Sequence, residues 1–289
     1  MKKKLDNIYS LFTGKELGIL PGNLAYSFFL AIIPILSIVF YFLTTFHFSA
    51  SFLQDFLNRT FPPNVVEILE PVFSTNITTE SILSVCLSVI VMTNGCNAII
   101  LASNTIFNFE NAHIVKRMIK SLFLSIVIII LIAFMLIVPL FGRSIINLIG
   151  HFTSFIGNNK EFIDSLYAIL QVPVSLIVMF LIIKLIYIIA PDEKVLSKYV
   201  NKGAIFTTVS WLIVTIGFSY YISNIARFDR VYGNLANIVI MLFWFYILAY
   251  IFVIGLYLNK RSSDAGIEKT NTIKLEEIRR RVNEEKRKK

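Results

Sequence analysis

The chain has 289 residues, 56% of them hydrophobic and 16% charged, with a net charge of +9. A soluble domain carries roughly 25% charged residues, so this composition argues against a soluble enzyme and for a membrane protein. The basic excess lies in loops and tails, where it reads as an orientation signal and not as a nucleic-acid surface.

Residues 1–20 begin with three lysines, and Leu5, Ile8, Tyr9 and Phe12 follow helical spacing. That pattern predicts a short amphipathic helix on the membrane surface. Six windows free of Asp, Glu, Lys and Arg follow, at 17–54, 81–109, 121–142, 165–183, 203–226 and 231–259. About 20 apolar helical residues cross a ~30 Å hydrocarbon core. The expected fold is therefore all-α, a polytopic membrane protein with six transmembrane helices near 22–46, 81–103, 120–142, 166–190, 204–223 and 235–258. The domain division is an N-terminal segment at 1–20, a transmembrane domain at 21–260 and a basic tail at 261–289.

Lys and Arg set the expected orientation: 21 fall on the side of the two termini, five on the other, and Lys184 inside the fourth span. The bias places both termini in the cytoplasm. The outer loops at 47–80 and 143–164 are partly apolar, and Pro62, Pro63 and Pro71 break the first, so short interfacial helices are expected there. Residues 261–289 read as a solvated basic tail near anionic lipid. Glu276/Arg280 and Glu277/Arg281 offer a helical alternative. Cys86 and Cys96 share one span about 15 Å apart along its axis, too far for a disulfide. The first apolar run is too long for a signal peptide and has no small-x-small cleavage site.

Two spans carry polar stripes. In the first, Asn23, Tyr26, Ser27, Pro34, Ser37, Tyr41 and Thr44 share an arc of about 100°. In the second, Asn94, Asn97, Asn104 and Asn108 share about 80°. Uncompensated amides are costly in hydrocarbon, so these stripes either hydrogen-bond between helices or line a polar groove. Pro34 lacks the N–H its turn needs and is expected to kink the first span. In the fifth span Gly203, Thr207, Ser210, Gly217 and Tyr221 share one face, which reads as close helix packing. Lys184 either snorkels towards Ala190 or offers a cation to a lipid phosphate or carboxylate. No Asp or Glu lies inside a span, so no carboxylate relay is visible.

Chemistry has little support. His47, His113 and His151 are far apart in the chain, and Asp192-Glu193 is an adjacent acid pair in a loop. No metal-ligand spacing, phosphate loop or nucleophile elbow is present. The expectation is no catalytic residue, no metal and no cofactor.

Four patches carry a family resemblance. They are Ala25-Tyr26 with Pro34; Asn104 in LASNTIFN; Tyr187 with Pro191-Asp192 and then Lys202-Gly203-Ala204; and Tyr232-Gly233, Trp244-Phe245-Tyr246 and Gly255 with Leu258-Asn259. In this order and spacing, over about residues 5–260, the chain resembles the YihY/BrkB family of bacterial inner-membrane proteins, once labelled ribonuclease BN. Ala31 stands where the family often has serine and Tyr257 where it often has glutamate. The resemblance implies six helices in the bacterial cytoplasmic membrane. It supplies no accepted activity, since the ribonuclease label is widely held to be misassigned, and its links to envelope lipids imply lipid handling.

Three functions follow as expectations. The leading one is transport or flipping of a lipid or other amphipathic envelope substrate, with Asn23, Tyr26, Ser27, Pro34, Ser37, Asn94, Asn97, Asn104, Asn108 and Lys184 along the route. The second is a non-transporting membrane partner for envelope biogenesis. The third, a membrane ribonuclease, has the least support. Membrane lipids and envelope-biogenesis proteins are the expected partners, and nucleic acid is not.

Overall fold

A computed structural model describes residues 15–45, 57–58, 62–67, 81–152, 160–224 and 232–288. The surface helix expected at 1–20 lies outside these residues except for 15–20, and so does most of the interfacial loop at 47–80. Among the described residues there are six long helices: α1 (Lys15–Thr45), α2 (Ser81–Phe107), α3 (Ile114–Phe152), α4 (Lys160–Ile189), α5 (Ser197–Asn224) and α6 (Ala236–Lys288), the last preceded by a 3-10 turn at Gly233–Leu235. Lipid offers no hydrogen bonds to the backbone, so each apolar segment satisfies its own N–H and C=O groups as helix. Among the described residues, five stretches are long and apolar enough to cross a membrane: Gly18–Ile38, Val89–Phe107, Ile114–Phe134, Ser197–Asn224 and Ala236–Gly266. A shorter apolar piece, Pro173–Ile189, ends α4. The described residues are all helix and turn, in keeping with the expected all-α polytopic fold.

Several boundaries differ from expectation: α1, α4 and α5 start six to seven residues before the expected 22, 166 and 204, and two helices run well past their expected ends. The third span was expected to end at 142, yet α3 continues through Arg143 to Phe152. Ile145, Ile146, Leu148 and Ile149 keep a helical pattern without proline, so Arg143 marks the edge of the hydrocarbon and not the end of the helix. The residues after 260 were expected as a solvated tail, yet α6 runs on to Lys288. Beyond Gly266 the segment has neither Gly nor Pro, and its Glu and Arg residues recur four apart, which favours helix.

The helices close a ring in which α6 packs on α5 and α1, α2 on α1 and α3, and α4 on α3 and α5. Its centre is aromatic. The Phe252 ring of α6 lies 4.7 Å from Tyr187 of α4, 6.2 Å from Phe28 of α1 and 6.4 Å from Trp211 of α5. Offset and edge-on ring pairs of this kind hold four helices at one level. At the end opposite the α2–α3 turn, Asn64 Nδ2 donates to Asn237 Oδ1 at 2.6 Å and Asn237 Nδ2 to Glu67 Oε2 at 2.7 Å, tying a short turn at 63–67 to the start of α6.

Candidate functional site

The α2–α3 and α4–α5 turns meet in one polar clamp. Helix α2 stops where Asn108 enters the left-handed region, at φ 58°, a conformation asparagine tolerates better than most residues. The Asn104 side chain, fully buried, then crosses to the other turn. Its Oδ1 accepts from the Asp192 N–H at 2.8 Å, and its Nδ2 donates to Asp192 Oδ2 at 2.6 Å and to Asn111 Oδ1 at 3.0 Å. A carboxylate only accepts, and Asp192 is supplied with donors: the Ala112 N–H at 3.1 Å and Lys120 Nζ at 3.0 Å. Lys120 Nζ also donates to the Pro191 carbonyl at 2.5 Å. The Lys120–Asp192 pair is mostly buried, with side-chain exposures of 22% and 10%.

Burial of Asp192 opposes its ionisation, but the Ala112 N–H, Lys120 and Asn104 outweigh it and hold the carboxyl below the usual carboxylate range. The native pKa is thus lower than the unfolded value of about 3.9, so the clamp's contribution is complete above about pH 4 and is lost as acid protonates the native carboxylate. Thermal unfolding in detergent is expected to be insensitive to this group between pH 5 and 8. Below pH 4 the wild type should lose stability faster than Asp192→Asn.

A second joint binds α4, α5 and α6. The Tyr187 hydroxyl, fully buried, donates to the Phe252 carbonyl at 2.9 Å and meets Thr207 Oγ1 at 2.7 Å. Gly255 leaves the space these hydroxyls occupy, since a Cβ there would collide with Tyr187 and Thr207. One turn on, a Cβ at Gly203 would strike the Gly255 carbonyl and Asn259, whose Oδ1 accepts from the Gly203 N–H at 2.8 Å. Gly203 and Thr207 thus pack as their spacing predicts, whereas Gly217 and Tyr221 on the same predicted face are exposed.

The predicted route residues separate into groups. Gly95 of α2 is buried against α1, where an added Cβ would sit 3.0 Å from Ala31 Cβ and 3.4 Å from the Ser27 carbonyl. Around α2, Asn97 and Asn104 lie roughly 160–200° from Gly95, on the side away from α1. Asn104 is committed to the clamp. Asn97 is half-buried with its Oδ1 buried and unpartnered. Asn108, with its amide turned to suit both neighbours, accepts from Lys260 Nζ at 2.9 Å and donates to the Thr105 carbonyl. Asn23, Tyr26 and Asn94 are exposed on the outside of the bundle, Tyr26 at 60%. Ser27 and Ser37 are half-buried, with Ser37 Oγ donating to the Ile33 carbonyl at 2.8 Å, and Pro34 is buried. Lys184, half-buried, holds its ammonium 5.8 Å from the Phe180 ring centre, one turn away from Ala190 and towards mid-span.

Of the motif residues, Ala25, Tyr187, Pro191, Gly203, Trp244, Gly255 and Asn259 are buried, and Tyr246 is exposed. Tyr232 and Gly233, the latter at φ 51°, are exposed where the chain enters α6. Nothing in the sequence marks Lys120 or Asn111 as members of the clamp, and Asp192 stands out there only as half of a loop acid pair and in the Pro191-Asp192 patch. The signal that links them is the Pro191-Asp192 patch taken together with Asn104. Among the described residues, no three His, Cys, Asp or Glu side chains converge to hold a metal.

Sequence comparison agrees with this architecture. The ribonuclease-like protein YfkH of Bacillus subtilis is 27% identical over 262 residues, 89% of this chain and 93% of the relative. The UPF0761 membrane protein PSHAa0171 of Pseudoalteromonas translucida is 30% identical over 93 residues, 32% of this chain and 31% of the relative. A UPF0761 membrane protein of Chlorobium luteolum is 24% identical over 230 residues, 78% of this chain and 52% of the relative. No solved structure matches the chain. Residues 8–274 match the family described as virulence factor BrkB, and the chain is an integral membrane protein belonging to that family.

Proposed function

We propose that the protein moves lipid or a lipid-like amphipathic substrate across the cytoplasmic membrane, along a polar lane on the outer surface of α1 and α2. The observation that carries this reading is Asn94. It lies thirteen residues from each end of α2, about 20 Å along the helix from either, and its side chain is exposed with no hydrogen-bond partner among the described residues. An amide left bare in hydrocarbon costs about 4 kcal/mol or more, so this position calls for a headgroup or water. Asn23 and Tyr26 extend the exposed polar surface towards the termini. Asn97, whose amide oxygen is buried without a hydrogen-bond partner among the described residues, and Lys184 on α4 lie off this lane and are not needed for it. The charge bias supports both termini in the cytoplasm.

Cysteine labelling tests the lane. In a background lacking Cys86 and Cys96, a cysteine replacing Asn94 is expected to react with a membrane-impermeant maleimide at least tenfold faster than one replacing Ile130, an apolar residue 61% exposed on α3. Equal, slow labelling at both positions would put Asn94 against lipid tails and remove the lane. A second reading, a non-transporting partner of envelope enzymes, draws on the continuation of α6 to Lys288, about 40 Å of helix beyond Lys260. It predicts that removing residues 267–289 abolishes the cellular phenotype while lipid movement in liposomes persists.

A further inference from the structure

A hollow of about 140 Å³ opens on α6 at the first charges beyond its apolar run, lined by Tyr257, Lys260, Arg261 and Asp264. That is room well beyond a single water. Lys260 is half-buried and held by Asn108 at the end of α2, so its ammonium is fixed on one wall. Arg261 and Asp264 stand one turn apart on α6 and are exposed, yet they make no ion pair with each other. The hollow thus presents two cations and one carboxylate that makes no ion pair among the described residues, with a tyrosine on the side of the apolar run.

We infer that this hollow binds the headgroup of a zwitterionic phospholipid carrying a phosphate diester and a primary ammonium. The guanidinium of Arg261 and the ammonium of Lys260 match the phosphate oxygens, since charge-assisted hydrogen bonds to phosphate suit both side chains. The carboxylate of Asp264 accepts from the headgroup ammonium. Tyr257, three residues before Lys260, the first charge after the apolar run 231–259, suits the interface where the glycerol region of a lipid sits. An anionic headgroup without an amine satisfies the two cations but leaves Asp264 facing added negative charge, so the site discriminates by charge pattern and not by net charge. This inference goes beyond the outer-surface lane and is independent of it, because binding is read here without translocation.

The test uses the full chain in detergent, with bound lipid counted by native mass spectrometry against phosphatidylethanolamine, phosphatidylglycerol and phosphatidylcholine. Wild type is expected to retain phosphatidylethanolamine in preference to the other two by about tenfold, the scale of one charge-assisted hydrogen bond. Arg261→Gln should weaken phosphatidylethanolamine by about the same factor, while Asp264→Asn should erase the preference by letting phosphatidylglycerol bind as well. Both residues are exposed, so neither change threatens the fold. Competition separates lipid from soluble ligand. Displacement by glycerophosphoethanolamine keeps the assignment and assigns recognition to the headgroup alone. Equal displacement by inorganic phosphate would reduce the hollow to a nonspecific anion site and overturn the proposal. So would equal retention of the three lipids by wild type, or binding unchanged in both variants.

Discussion

Gly255→Ala is expected to destabilise the bundle by about 3 kcal/mol or more, enough to lower the amount of folded protein in the membrane several-fold. One methyl group is responsible. The Cβ it adds meets the Tyr187 and Thr207 hydroxyls, neither of which has anywhere to retreat, since Tyr187 is fully buried against Phe252. Overpacking alone costs about 1–3 kcal/mol, and the two hydrogen bonds that must loosen add about 0.5–1.5 kcal/mol each. Thermal unfolding in detergent, followed by fluorescence-detected size-exclusion, measures the loss. Adding Tyr187→Phe to Gly255→Ala removes one of the two colliding oxygens, so the double variant should be more stable than Gly255→Ala alone. That non-additivity is what direct contact requires.

Asp192→Ala comes next, at about 3 kcal/mol, the low end of the range for breaking a buried pair because Lys120 keeps 22% exposure. The substitution leaves the Ala112 N–H without its acceptor, takes one of two acceptors from Asn104 Nδ2 and removes the counter-charge of Lys120 at once. The tie between the α2–α3 and α4–α5 turns is then reduced to the residue-192 N–H on Asn104 Oδ1 and Lys120 on the Pro191 carbonyl. Limited proteolysis should cut 108–113 faster in the variant, while the spans stay protected. Lys120→Met should be milder, because Asp192 retains the Ala112 N–H and Asn104 as donors. If the two variants unfolded alike, the carboxylate would not be the hub of the clamp.

The spans were legible because charge-free windows of the right length have few alternatives in a membrane protein. Their ends were less so, since a charge such as Arg143 stops the hydrocarbon without stopping the helix. Sequence placed Asn104 on a polar face, but its partners are Asp192, 88 positions away, and Asn111 beyond the end of α2, and no local period reports such a pairing. The facing glycines were half visible. Spacing marked Gly203 and Thr207 as a packing face, but only the helix crossing shows that Gly255 makes room for the Tyr187 hydroxyl. The exposure of Asn94 was not predictable either. A stripe at 100° per residue gives a direction on one helix without saying which neighbour stands there.

The most direct measurement is lipid movement in liposomes containing the purified chain and a fluorescent phospholipid, scored by dithionite quenching. With wild-type protein, quenching should proceed past the outer leaflet to nearly all of the dye. With Asn94→Leu at equal reconstitution, it should stop near half, as in protein-free vesicles. Quenching that stops near half with the wild type as well, across zwitterionic and anionic lipids, would contradict lipid movement by this protein. Full quenching with Asn94→Leu would contradict the lane.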